Sequence, residues 1–216
     1  RYYQAAGSLD EFVRSTADQT KPSVLSAKLG LADALRNLKL YGNAAGIYHE
    51  LLAAGPDSDV FEPAFKGLRA CSRKVAYNPV TLEALTNYFV GNFSQAFQDD
   101  YNYFLGKFFF DYNRNDEALR YLGEVSEKAK DYAEAQYLMG LVGVQSAGDD
   151  SESSDFIKNL VKANVSFQKA ILGAQRSDDE RVQHLAYLAL ARIAYTLEQY
   201  DAAIFYYRKV PADSTS

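Results

Sequence analysis

Side chains able to do chemistry are sparse in this sequence and badly spaced for it. The two histidines, His49 and His184, lie 135 residues apart, and His49 directly follows Tyr48 in a helical apolar pattern, which reads as a surface or boundary position. Cys71 is the single cysteine. One thiol cannot build a disulfide framework or a multi-cysteine zinc site. With no nearby histidine to serve as a base, it reads as structural rather than nucleophilic. There is no His-Glu-x-x-His pair, no Gly-x-Ser-x-Gly elbow, no phosphate loop and no dinucleotide fingerprint. Carboxylates crowd the surface turns, but none stands in an apolar run that would raise its pKa for acid catalysis. The acidic stretch Gly148–Asp155 offers hard oxygen ligands of the kind calcium takes, yet lacks the central glycine and terminal glutamate of an EF-hand loop. It is expected to lengthen a helical hairpin and to end in an N-cap at Ser154 or Asp155. Asn92-Phe93-Ser94 and Asn164-Val165-Ser166 match the glycosylation tripeptide, the second inside a helical pattern. The expectation is a chain with no catalytic residue, cofactor site or metal site, and not an enzyme.

Composition narrows the class from another side. The 216 residues are 48% hydrophobic and 24% charged, which is ordinary for a globular chain that buries a core. No apolar run approaches the roughly 20 residues of a bilayer span, so no membrane insertion is expected in this segment. A net charge of −5 argues against nucleic acid, whose affinity comes mainly from Lys and Arg neutralising phosphates.

Apolar residues recur at spacings of three and four almost throughout, and no stretch alternates with period two over a strand's length. That pattern predicts an all-α fold, with helices at 2–15, 23–38, 42–54, 59–76, 79–91, 94–112, 115–129, 132–146, 154–173, 179–197 and 200–209. Asn78-Pro79 reads as an N-cap with proline in the first turn, and Gly55-Pro56 closes the helix before residue 55. Short connections make consecutive helices antiparallel neighbours, so the unit is the helical hairpin.

The hairpins repeat. Ala32 is followed at the same intervals by Ala44, Tyr48 and Leu51; Gly106 by Ala118, Leu122 and Val125; Ala191 by Ala203, Tyr207 and Val210. Gly140, 34 residues after Gly106, is followed by Ala163, Phe167 and Ala170 with eleven extra residues in the turn. A large apolar residue precedes each small one: Leu31, Leu105, Met139 and Leu190. Tyr2, Tyr41 and Tyr200 stand three residues before a second-helix alanine, and Pro56 follows Ala44 by twelve. Such a pattern lets two antiparallel helices approach at the small residue while large neighbours fill the space beside the contact. It resembles the tetratricopeptide repeat, over roughly residues 1–58 and 99–210. The family's common tryptophan is missing, Tyr187 being the nearest substitute.

The resemblance implies an α-solenoid of stacked hairpins with a right-handed superhelical course. Within one such array, residues 1–15 are the second helix of a truncated repeat, because Gln4-Ala5-Ala6-Gly7 copies Asn43-Ala44-Ala45-Gly46. Residues 25–58 form a repeat, 59–98 a degenerate repeat or inserted helices, and 99–132 a repeat. Residues 133–173 form a repeat with an inserted loop at 147–155, and 184–216 a last repeat. No polar capping helix follows Val210-Pro211, although solenoid ends usually need one, so the sequence reads as a piece of a longer array.

In a stacked array the first helices line the concave wall. This places Tyr103, Lys107 and Phe110 around Gly106, Tyr137 and Leu141 around Gly140, and Leu188, Arg192 and Tyr195 around Ala191 in a partner-binding groove. Tyrosine and arginine carry much interface energy because each joins broad contact area to a polar handle. The groove suits an apolar peptide segment or an amphipathic helix. Chaperone-binding members of the family hold a terminal carboxylate with Lys, Arg and Asn. The first complete repeat has Ser26, Leu29, Gly30 and Asp33 there, so that clamp is missing. The resulting expectation is a non-catalytic protein-binding scaffold within a larger bacterial-type assembly. The alternative is a self-associating structural component of an envelope, secretion or motility machine, paired through its end hairpins. Periplasm and cytoplasm both stay open.

Overall fold

The computed structural model describes residues 1–75, 82–148 and 153–211. Among them are ten α-helices: α1 (Tyr2–Ser15), α2 (Pro22–Asn37), α3 (Tyr41–Leu52), α4 (Phe61–Ser72), α5 (Gln95–Asp111), α6 (Asn115–Gly123), α7 (Tyr132–Ala147), α8 (Ser154–Ser177), α9 (Glu180–Thr196) and α10 (Tyr200–Tyr207). A 3-10 turn spans Ala84–Asn87. The described residues contain no strand, so the all-α helical repeat is the architecture observed. The chain divides into two compact units, residues 1–93 and 94–216, and the division falls within the 59–98 stretch that lacks the repeat intervals.

In unit 1, α1 packs on α2, α2 on α3 and α3 on α4, with α2 also reaching α4. Gly67 of α4 explains the close approach of α4 to α3. A Cβ there would sit 2.3 Å from the Tyr48 ring of α3, so only glycine lets α4 close over that tyrosine. Gly67 lies 35 residues after Ala32, and the stretch expected to be degenerate therefore keeps the small residue of the pattern. Tyr48 is fully buried, and its hydroxyl donates to Asp33 Oδ1 (2.6 Å) while accepting from Arg36 Nε (3.2 Å). Burial, then the Asp33 carboxylate, push the phenol's pKa well up, so it stays a donor.

In unit 2, α5 pairs with α6, α7 with α8, and α9 with both α8 and α10. The first helices α5, α7 and α9 also touch in succession. Small residues again set the approach. A Cβ on Gly106 would meet Leu122 Cγ at 2.6 Å, one on Gly140 would meet the Phe167 ring at 2.5 Å, and one on Gly143 would meet Ala163 Cβ at 3.0 Å.

Three hairpin turns share one geometry at one register. Lys39, Asn113 and Glu198 each lie seven residues beyond the small residue of their copy and adopt positive φ (64°, 58° and 57°). In each turn the following amide donates five residues back, Leu40 to Leu35, Arg114 to Phe109 and Gln199 to Ala194, which satisfies helix-end carbonyls. Only Asn113 is a residue type that takes this conformation readily.

Some helix bounds move. α6 ends at Gly123 rather than running to 129, because the amides of Glu124 and Val125 tighten onto carbonyls three residues back and Ser126 is then caught by Asp99. Asp99 accepts from Ser126 N (2.9 Å) and Ser126 Oγ (2.7 Å), and from Gln95 Nε2 (3.1 Å). α8 continues past 173 to Ser177, and its cap is Ser153, whose hydroxyl accepts from the Asp155 amide (3.2 Å), rather than Ser154 or Asp155. The proposed cap at Asn78-Pro79 and the centre of the acidic stretch, 149–152, lie outside the described residues.

Candidate partner-binding cleft

Unit 2 holds a cleft of about 480 Å³ walled by α7, α8 and α9. α7 contributes Tyr137, Leu141 and Val144, one helical stripe at intervals of four and three. α9 contributes Leu188 and Arg192, again one turn apart, with Thr196 a turn beyond. Phe156, Leu160 and Phe167 of α8 line it from the second helix of the long hairpin. Tyr137 rests on Phe167 at 5.7 Å between ring centroids, and Phe167 in turn occupies the space that Gly140 leaves free. Burial pushes the Tyr137 phenol's pKa up, against the opposing pull of the Arg192 and Arg181 cations, so it enters the cleft as a protonated hydroxyl. Among the described residues Arg192 is the single charged side chain of the lining, and it is exposed.

Four of the eight sequence-predicted groove residues, Tyr137, Leu141, Leu188 and Arg192, thus meet in one cleft. The other four do not line it. Tyr103 is buried in the packing of α5, which uses up its ring area. Lys107 is half-buried with its ammonium 3.9 Å from Asp111, and Phe110 is half-buried on the same helix. Tyr195 is 62% exposed and stands edge-on to Tyr200 at 5.7 Å. The α8 contribution was missed because only first helices were assigned to the wall. Its spacing, Phe156, Leu160 and Phe167, carried the signal of an apolar face longer than one partner helix can cover.

The candidates for chemistry fare as their surroundings dictate. Cys71 is buried, and burial pushes its thiol's pKa up, away from the reactive thiolate. Asn164 sits mid-helix in α8, where its Oδ1 accepts from Gln168 Nε2 (2.8 Å). Among the described residues no cluster of three His, Cys, Asp or Glu could hold a metal ion, and no helix is long and apolar enough to cross a membrane.

Residues 1–59, covering α1 to α3, match the family model described as Tetratricopeptide repeat. Over that segment the chain is similar to the tetratricopeptide repeat family. The matched segment contains the Ala32, Ala44 and Tyr48 positions and the Lys39 turn, and the hairpins of α5 and α9 reproduce that turn at the same register. No curated protein and no solved structure matches the chain. Tetratricopeptide repeats mediate protein–protein interaction and are generally non-catalytic scaffolds.

Proposed function

We propose that the chain is a binding scaffold whose α7–α9 cleft receives an apolar segment of a protein partner. The cleft itself carries this reading. Its floor is the buried Phe156, Leu160, Phe167 and Ile193, and its solvent-accessible walls are Leu141, Val144, Leu185 and Leu188, with the hydroxyls of Tyr137 and Thr196 and the Arg192 guanidinium placed to orient what enters. Water against such walls is displaced favourably by apolar side chains, at about 25 cal/mol per Å² of apolar surface covered. An amphipathic helix or extended apolar peptide matches a groove bounded by helices.

The test is selection of binding peptides from a random displayed library, followed by titration. The chain has no tryptophan, so the emission of a tryptophan-bearing peptide reports its burial without background. Selected peptides are expected to be rich in apolar residues and to bind a folded Val144→Gln/Leu188→Gln variant at least tenfold more weakly, about 1.4 kcal/mol. Equal binding by that variant would overturn the reading. A self-associating role is favoured instead by the exposed face of α10, where Tyr200, Ile204, Phe205 and Tyr207 are about half accessible. Light scattering that shows a stable dimer at micromolar concentration selects that second reading.

A further inference from the structure

α8 is apolar on two opposed sides. Its inner side, with Phe156, Leu160, Ala163, Phe167 and Ala170, is buried against α7 and α9. Its outer side carries Ile157, Val161, Val165 and Leu172, spaced by four, four and seven, each 46–59% exposed. Those intervals hold the four side chains on one stripe about 22 Å long. Single apolar side chains are normal on a surface, whereas an aligned stripe marks a contact. The two edges of the stripe differ. Along one run Lys158, Lys162, Lys169 and Arg176, at intervals of four, seven and seven and all exposed. Along the other stand Asn164 and Gln168, which bond each other (2.8 Å). Among the described residues no ion pair engages Lys158, Lys162 or Lys169, and Arg176 reaches Glu127 at 3.9 Å. α8 thus sets four cations against one acid, Asp155, in a chain whose net charge is −5. Where the stripe ends, Leu172, Tyr132, Glu127, Lys169 and Arg176 line a hollow of about 440 Å³.

We infer that the outer face of α8 is a docking site for one helix of a partner protein, apolar along one stripe and acidic along one edge of it. The charge on this face selects that chemistry. Aliphatic side chains of the occupant cover Ile157, Val161 and Val165, and its carboxylates meet the row of lysines, as the positions flanking a coiled-coil seam do. The charge pairs decide which helix is accepted, while most of the affinity comes from the apolar area covered. An anionic bilayer shares the charge but not the shape. Its flat surface leaves the hollow beside Leu172 empty, and Glu127 there repels its headgroups. A helix places one side chain in that hollow. This face is separate from the α7–α9 cleft, which the opposite side of α8 lines.

The probe is a displayed library of peptides in a helical frame of about six turns, with leucine or isoleucine at intervals of three and four and flanking positions drawn from Glu, Lys, Gln and Ser. Peptides selected on the full chain are expected to carry Glu along one edge. A fluorescein-labelled selected peptide is expected to bind one-to-one, and at least tenfold more weakly to Val161→Gln/Val165→Gln, two exposed positions whose replacement leaves the fold intact by circular dichroism. Lys162→Glu/Lys169→Glu is expected to weaken the same peptide about tenfold and to bind a copy with Lys in place of each Glu better than the parent does. The Val144→Gln/Leu188→Gln variant binds the selected peptide as the parent does, which separates this face from the cleft. Selected peptides without an acidic edge overturn the inference, as does binding that survives Val161→Gln/Val165→Gln or a library that returns no saturable binder. Flotation with phosphatidylserine vesicles that Lys162→Glu/Lys169→Glu abolishes overturns it in favour of a membrane. A dimer of the parent chain that Val161→Gln/Val165→Gln dissociates overturns it in favour of a second copy.

Discussion

Near Gly106 the ring of Tyr103 is consumed by packing, while Tyr137 and Leu141 near Gly140 and Leu188 and Arg192 near Ala191 line a cleft. α5 is crowded with rings: Phe109 is almost completely buried and stacks on Tyr121 (5.5 Å, 12° between planes), and Phe108 lies between Phe109 and Tyr112 at 5.1 and 4.8 Å. Arg114 covers Phe109 from the turn, 4.6 Å above its centroid. α7 instead carries Leu, Val and Gly beyond Tyr137, and its partner α8 is 24 residues long against nine for α6. One repeat register therefore yields a wall whose rings are mostly packed away and a wall that keeps a cleft, and the ring content of the first helix decides which.

The largest effect that could break this contrast is Phe109→Ala. Emptying a buried ring site costs about 3–5 kcal/mol, and the loss should appear as a lowered midpoint in urea unfolding with no specific change in peptide affinity. Leu188→Ala in the cleft is the opposite case. It removes a half-buried side chain at about 1 kcal/mol, and its main effect is expected on binding. If Phe109→Ala weakened peptide binding in the folded protein as much as Leu188→Ala does, the two walls would not differ in role.

Asp99→Ala sharpens the comparison at the next level. The carboxylate serves both the amide and the hydroxyl of Ser126 from a nearly buried position, and α7 has no such latch within its helix. Its removal leaves those donors unpaired and should cost about 1–3 kcal/mol. Amide exchange at Ser126 is expected to quicken before that of α6 or α7. Uniform quickening across the unit would show the latch to be dispensable to the loop.

These sites differ in how far the sequence reveals them. Helix positions and the repeat were readable because apolar spacing and small residues act locally: the crossing at Gly106 needs a glycine whatever surrounds it. The Asp99–Ser126 latch joins residues 27 apart through a turn, and nothing in the spacing marks that acid among the other surface carboxylates. Tyr103 was placed on the wall for the same reason in reverse. Period alone gives a side chain's direction along the helix, and only the packed neighbours decide whether space remains there. Gly67 was overlooked because its partner positions downstream depart from the intervals, although its own contact with Tyr48 follows the rule.

Tyr137 and Tyr121 extend the contrast to pH. Both phenols are raised by burial, Tyr121 in the filled hairpin and Tyr137 at the cleft. A phenol whose folded pKa exceeds the unfolded value of about 10 holds its proton more tightly in the folded state. Its contribution is fully present below about pH 10 and is lost as pH rises through the folded value. Tyr137→Phe and Tyr121→Phe should each flatten the fall in stability above about pH 10, read as unfolding free energy between pH 9 and 11, and leave the pH slope near neutrality unchanged. Peptide bound in the cleft should strengthen the Tyr137 effect by deepening its burial and leave the Tyr121 effect unchanged. Equal response of both would place the peptide elsewhere.

The smallest effect lies in the turns. Asn113 and Glu198 hold the same left-handed conformation at the same register of the α5 and α9 hairpins. Asparagine visits that region at little cost, whereas a glutamate there crowds its Cβ against the backbone, so glycine relieves strain at one site and not at the other. Glu198→Gly is expected to stabilise unit 2 by about 0.5–1 kcal/mol, and Asn113→Gly to change it little. The five-back amide bond from Gln199 to Ala194 survives either substitution, because it needs only the backbone to turn. If both substitutions stabilised equally, the side chain of Asn113 would be as strained as that of Glu198. The ring-filled hairpin would then share the turn penalty of the hairpin that borders the cleft.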